Sequence, residues 1–126
     1  MLLEGGSLLN SKKEDLDNAL QVITSTIANC KKIQPKFKKG SPQYSLLKNR
    51  INALSIGKSL ITEKDSQTGC SREDLARALP PVDSILNKCK KAQHKQAENT
   101  FQWNRLENMI RAMDTLKKLM TDKIDS

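Results

Sequence analysis

The chain has 126 residues, the length of one domain, and its composition is 37% hydrophobic but only 3% aromatic. The predicted core is therefore aliphatic, and the net charge of +8 favours anionic partners without specifying a fold. No apolar run approaches the ~20 residues that span a bilayer, and the first ten residues lack the basic start of a signal peptide, so we expect no membrane partner and a cytoplasmic location.

The first part of the chain is predicted to form a flexible N-terminal tail, residues 1–10, and a helical hairpin, residues 11–63. Ser11 and Glu14 match a capping box and predict the start of the first helix. Pro35 predicts its end. Between them the apolar residues recur in steps of four and three, as is typical of a bundle helix: Leu16, Leu20, Ile23, Ile27 and Cys30.

The second helix is predicted to begin at Ser41 and Pro42, a good N-cap followed by a first-turn proline. Gly40 tolerates the left-handed backbone conformation that closes such a turn. The helix carries a second apolar stripe: Tyr44, Leu47, Ile51, Leu54 and Ile61. Residues 64–70 are the predicted linker to a second hairpin, and Cys70 within it is the thiol expected to be exposed.

Residues 71–124 are predicted to form the second hairpin. Ser71 and Asp74 repeat the capping pattern. Pro80 and Pro81 predict a short leading helix followed by a kink or a restart. Two residues take the places of the glycine and serine that close the first turn: Asn99 and Thr100.

The two hairpins are related by an offset of 59 residues. When residues 14–65 are laid over residues 73–124, 20 of the 52 pairs are identical and no gap is needed. We therefore predict an internal duplication and an all-α fold, an antiparallel up-down-up-down four-helix bundle made of two duplicated hairpins. The alternative is a more open pair of hairpins that completes its core as a homodimer, so monomer and homodimer both remain open.

This topology would place both hairpin turns at one end of the bundle, together with the lysines that surround them. We call the predicted surface the basic pole, formed by Lys31, Lys32, Lys36, Lys38, Lys39, Lys90, Lys91 and Lys95. Complementarity with the helix dipoles explains the lysines that end the helices. It does not explain Lys36, Lys38 and Lys39, which surround the turn and suggest an anion-binding site.

Two aromatic residues stand at matched positions beside the basic pole, Tyr44 and Trp103. Their place on the core stripe favours a plug that seals the end of the core. Exposed rings on a basic surface would instead stack unpaired bases. Both interpretations are left open, and both residues are included in the candidate partner-binding site.

No catalytic chemistry is predicted. His94 is the only histidine, and the chain contains no Glu-x-x-His pair, no C-x-x-C-H motif and no P-loop. Cys30 and Cys89 lie on apolar stripes and are predicted to be core residues, although a disulfide between them is conceivable under oxidation. We therefore expect no enzyme activity, no catalytic residue, no metal and no cofactor.

Three functions remain. The favoured one is a non-catalytic binding or structural module whose basic pole meets an acidic protein surface or a phosphate-bearing ligand. The first alternative is a nucleic-acid-binding protein that uses the same pole with Trp103 and Tyr44. The second alternative is a self-associating structural protein. In it, the acidic end of one molecule, which lies opposite the two predicted turns, contacts the basic pole of the next.

Overall fold

The computed structural model describes the backbone of residues 2–62 and 71–125, with side chains from residue 13 onward. These residues form four α-helices and one short 3-10 helix, Gln34–Lys36, and contain no strand. The helices are α1 (Leu2–Ile33), α2 (Pro42–Thr62), α3 (Arg72–His94) and α4 (Phe101–Asp125). The predicted all-helical class is confirmed. The predicted linker, residues 64–70 with Cys70, lies outside the described residues.

Both helix-to-helix turns close as the sequence predicts. Gly40 and Asn99 have positive φ angles of 88° and 66°, the conformation expected before a new helix. The hydroxyl of Ser41 and that of Thr100 each accept a hydrogen bond from the backbone N–H three residues later, at 3.2 Å in both turns. These caps explain why α2 and α4 begin at the predicted places.

The start of α1 differs from the prediction. α1 begins at Leu2, so the stretch predicted as a flexible tail is helical from that residue, and Ser11 and Glu14 lie inside the helix rather than at its start. No proline interrupts this stretch. Its two adjacent glycines weaken a helix by about 1 kcal/mol each but do not forbid helical dihedrals. A capping-box pattern marks a helix start only where the preceding residues leave the helix.

α3 is continuous across Pro80 and Pro81, where a kink or restart was predicted. Pro80 is exposed and Pro81 is half-buried. Each proline removes one backbone hydrogen bond. Core packing on both sides of the prolines holds the helix together, because its buried residues form one stripe: Leu75, Ala78, Val82, Ile85 and Leu86.

The capping box at the start of α3 gives a first testable prediction. The Ser71 hydroxyl accepts a hydrogen bond from the Asp74 N–H at 3.1 Å, and the Ser71 N–H donates to the Asp74 carboxylate at 3.1 Å. We expect Ser71→Ala to lower the free energy of unfolding by about 1 kcal/mol. Urea unfolding followed by circular dichroism measures this change. Ser55→Ala, at an exposed position in α2, is the control, and an equal effect of both variants would contradict the prediction.

The core is aliphatic, as the composition predicts. No polar or charged residue is buried among the described side chains. α3 and α4 pack along the greatest length, α1 contacts α2 and α4, and α2 contacts α3. The largest fully buried side chains come from all four helices: Ile23, Leu54, Val82, Met113, Leu116 and Met120.

Gly57 marks a close approach of α2 to α4. A Cβ atom built on Gly57 would lie 2.7 Å from Cδ2 of Leu116, closer than real Cβ atoms approach other atoms. Any larger residue at this position therefore requires the Leu116 side chain to shift, whereas the sequence alone shows only a weakened helix. In the 59-residue comparison, the counterpart of Gly57 is Leu116 itself.

Candidate functional site

The lysines predicted to form the basic pole are all exposed. They fall into two segments of the chain. Lys31 and Lys32 end α1, and Lys36, Lys38 and Lys39 follow through the 3-10 helix and the turn. The other three stand at and just beyond the end of α3: Lys90, Lys91 and Lys95.

None of these lysines pairs with a carboxylate among the described side chains. The ion pairs found there lie elsewhere, between Arg111 and Glu107 at 3.2 Å and between Lys117 and Asp83 at 2.9 Å. Glu98, the acid closest in sequence, is exposed in the second turn. The lysine charges are therefore available to an external anion.

The four aromatic residues differ in how much of each is exposed. Tyr44 and Trp103 are both half-buried, which limits the surface that either ring can offer to a partner. Phe101, the first residue of α4, is 81% exposed, and Phe37 in the first turn is 37% exposed. The site predicted from the sequence does not include these two phenylalanines. The available signal was that Phe101 occupies the first-turn position held by Pro42 in the other hairpin.

Gln93 joins the end of α3 to the beginning of α4. Its side-chain amide donates to the Trp103 carbonyl at 3.3 Å and to a carboxylate oxygen of Glu107 at 2.9 Å. The hydrogen bond from Gln93 lowers the pKa of Glu107, burial opposes this, and Arg111 adds to the lowering. These bonds fix the second turn against the bundle.

A buried part of Arg50 is a structural feature that the sequence did not predict. Two of its guanidinium nitrogens, Nε and Nη2, are buried and have no hydrogen-bond acceptor. A buried polar group without a partner is costly and rare in native proteins. The sequence contained a signal, since the counterpart of Arg50 in the other hairpin is the apolar Met109.

Arg50 also lies within electrostatic range of two thiols. Burial raises the pKa of both Cys30 and Cys89, and the positive charge of Arg50 opposes that rise at both. Both cysteines are free. Among the described residues no Cα of α1 lies within 8 Å of a Cα of α3, which exceeds the span of a disulfide, so the suggested bridge between them is not compatible with this backbone.

Two open grooves run between the helices. The larger one, of about 870 Å³, lies between α2 and α3, and the smaller one, of about 270 Å³, lies between α1 and α4. The prolines of α3 line the larger groove. Six residues lining the smaller groove stand 59 positions from residues lining the larger one: Asn18, Gln21, Val22, Ser25, Arg105 and Asn108.

Neither metal coordination nor membrane spanning is found within the described part of the chain. No group of three or more histidine, cysteine, aspartate or glutamate side chains could hold a metal ion there. None of the described helices combines the length and apolarity needed to cross a membrane. No protein-family model, curated protein or solved structure matches this chain.

Proposed function

We propose that this protein is a non-catalytic binding or structural module whose basic pole holds an acidic protein surface or a phosphate-bearing ligand. The observation that carries the proposal is the exposure of the pole lysines together with the absence of carboxylate partners among the described side chains. The proposal further requires that both turns lie at one end of an antiparallel bundle, so that the two lysine segments form one surface.

Contacts between α3 and α4 support the antiparallel arrangement. Asp83 contacts Lys117, whereas Gln93, ten residues later in α3, contacts Glu107, ten residues earlier in α4. Along this contact the residue numbers rise in α3 as they fall in α4, which is the pattern expected of two antiparallel helices. The short turn after Ile33 supports the same relation between α1 and α2, which pack against each other.

The relation between α2 and α4 supports a shared end for the two turns. Gly57 of α2 packs against Leu116 of α4. Two helical turns earlier in α2, Arg50 lies close to Cys89, where burial raises the thiol pKa and the Arg50 charge opposes the rise. Cys89 belongs to the end of α3 that packs on the first turns of α4. Both helices then begin at the same end, beside the two turns.

Two observations support the duplicated hairpin. The two grooves use matched positions 59 residues apart on both of their walls. Gly57 also faces its own counterpart, Leu116. A pseudo-twofold axis between α2 and α4 would produce both observations, because residues near such an axis meet their own equivalents.

Helix dipoles remain a partial explanation of the basic pole. Lysines in the last turns of α1 and α3 stabilise those helices by about 0.3–1 kcal/mol each, whatever they bind. Lys38 and Lys39 follow the 3-10 helix in the turn itself, where no α-helix ends. A stabilising role at a helix end does not account for these two residues, and an anionic partner does.

Charge reversal at the first turn tests the proposal. We expect the triple variant Lys36→Glu, Lys38→Glu, Lys39→Glu to bind polyphosphate and polyglutamate at least tenfold more weakly, since repulsion replaces attraction at the pole. Lys13→Glu, Lys58→Glu, Lys118→Glu is the matched control, with exposed lysines outside the pole and an identical net charge. Equal weakening of both variants would show that net charge, and not the pole, attracts the ligand.

The exposure of Phe101 favours a second candidate, nucleic-acid binding at the same pole. This candidate predicts an affinity that falls linearly with the logarithm of salt concentration. Absence of any mobility shift with single-stranded or double-stranded nucleic acid at about 50 mM salt would remove it.

A further inference from the structure

Three apolar side chains lie exposed among the lysines of the basic pole. Ile33 ends α1 and is 41% exposed, Phe37 stands between Lys36 and Lys38, and Phe101 begins α4 with most of its ring in solvent. They come from both turns. Apolar groups interspersed with cations are typical of surfaces that contact a layer with an anionic face and an apolar interior.

The eight cations that define the basic pole are lysines, and the exposed Arg105 stands one turn into α4. Arginine is the side chain suited to bidentate contacts with phosphate and carboxylate, and it is enriched in protein and nucleic-acid interfaces, where lysine is depleted or acts as a point charge. Clustered lysines instead bind many anions diffusely. The composition of the pole therefore favours an extended anionic surface over a partner that forms a few directional contacts.

The two grooves described above lie away from the pole. Neither of the two grooves is lined by a pole lysine or by Phe101, and both grooves run between helix flanks. The most exposed ring projects from the first residue of a helix. A projecting ring beside unpaired cations enters a deformable layer more readily than it accepts a partner's side chain.

We infer that the basic pole binds the surface of an anionic phospholipid bilayer, with its lysines among the headgroups and Phe101 inserted toward the acyl region. This inference rests on the proposed function, because it identifies the phosphate-bearing partner as a lipid layer. It differs from the expectation of no membrane partner, which rested on the absence of a spanning segment and of a signal-peptide pattern. Binding at the surface requires no such segment.

Vesicle flotation with the full chain tests the inference. Wild-type protein is expected to float with vesicles of phosphatidylcholine and phosphatidylserine and to remain unbound with phosphatidylcholine alone. Phe101→Ser is expected to lower the partition coefficient at least tenfold, since burial of one aromatic ring is lost. Trp103, the only tryptophan, reports binding independently through energy transfer to a dansyl-labelled lipid.

A matched control separates insertion from general hydrophobicity. Leu46 is 39% exposed, close to the exposure of Ile33 and Phe37 in the pole, but it lines the groove between α2 and α3. Leu46→Ser is expected to leave partitioning unchanged within about twofold. Equal losses for the two serine variants would overturn the inference, as would full binding by Phe101→Ser.

The outcomes also separate the inference from the proposed function. If wild-type protein binds polyphosphate but not anionic vesicles, the inference fails and the proposed function stands. If it binds neither anionic vesicles nor polyphosphate nor polyglutamate, both fail. A single-stranded oligonucleotide that binds tighter than vesicles and depends on Phe101 would assign the ring to base stacking and overturn the inference.

Discussion

Gly57→Leu is expected to destabilise the protein by about 3 kcal/mol or more, the upper range for overpacked cores. A side chain at this position would overlap the side chain of Leu116, which would have to shift to make room. Leu116 is fully buried, so its side chain has no exposed space to enter. Urea unfolding followed by circular dichroism measures the loss, and Lys58→Leu, at the exposed neighbouring position, is the control.

The exchange variant Gly57→Leu, Leu116→Gly tests the pseudo-twofold relation directly. Leu116→Gly alone is expected to lose about 2–5 kcal/mol through the cavity it leaves, and about 1 kcal/mol more through helix propensity. If the two residues face each other across a pseudo-twofold axis, the exchanged leucine fills the space that the other vacates. The double variant should then be more stable than either single variant.

The outcome that contradicts this prediction is additivity. A double variant as unstable as the sum of the two single losses would mean that the leucine side chains do not share one space. The duplication would then be a property of the sequence without a matching symmetry in the packing.

The caps of this fold could be predicted because their chemistry is local. Ser41 and Ser71 each satisfy a backbone N–H three residues away, and Gly40 and Asn99 adopt positive φ angles that few other residues tolerate. Such interactions involve residues a few positions apart, so the sequence contains all their partners. The starts of α2, α3 and α4 follow from them.

The continuity of α3 could not be predicted in the same way. Local rules treat Pro80 and Pro81 as helix breakers, but the buried stripe on both sides of them packs on other helices. That packing depends on residues far away in the chain. Tertiary contacts therefore override a local preference, as they commonly do.

The candidate site likewise combines features that local sequence predicts with features that depend on tertiary packing. Exposure of the lysines could be predicted, because lysine is almost never fully buried. Exposure of an aromatic ring depends on which helices cover it, and only the structure distinguishes half-buried Trp103 from exposed Phe101 two residues earlier. The sequence did not predict the buried nitrogens of Arg50, because arginine is ordinarily a surface residue and its burial depends on which helices cover it.

Arg50→Met is expected to raise the free energy of unfolding by about 1–3 kcal/mol, whereas most core substitutions lower it. The variant removes two buried nitrogens that lack acceptors and introduces the residue found at the matched position of the other hairpin, Met109. Urea unfolding measures the gain. Arg105→Met, at an exposed position, is the control and is expected to change stability by less than about 0.5 kcal/mol.

The same variant has a second, independent readout at the thiols. Burial already raises the pKa of Cys89, and the Arg50 charge limits that rise, so removing the charge should raise the thiol pKa further. The pH dependence of alkylation at half-buried Cys89 should therefore shift to higher pH. A destabilised variant with this shift would mean that the guanidinium contributes favourable interactions despite its unpaired nitrogens. A stabilised variant with the shift would show that the charge of Arg50 acts on the thiol but that its guanidinium is not needed for folding stability.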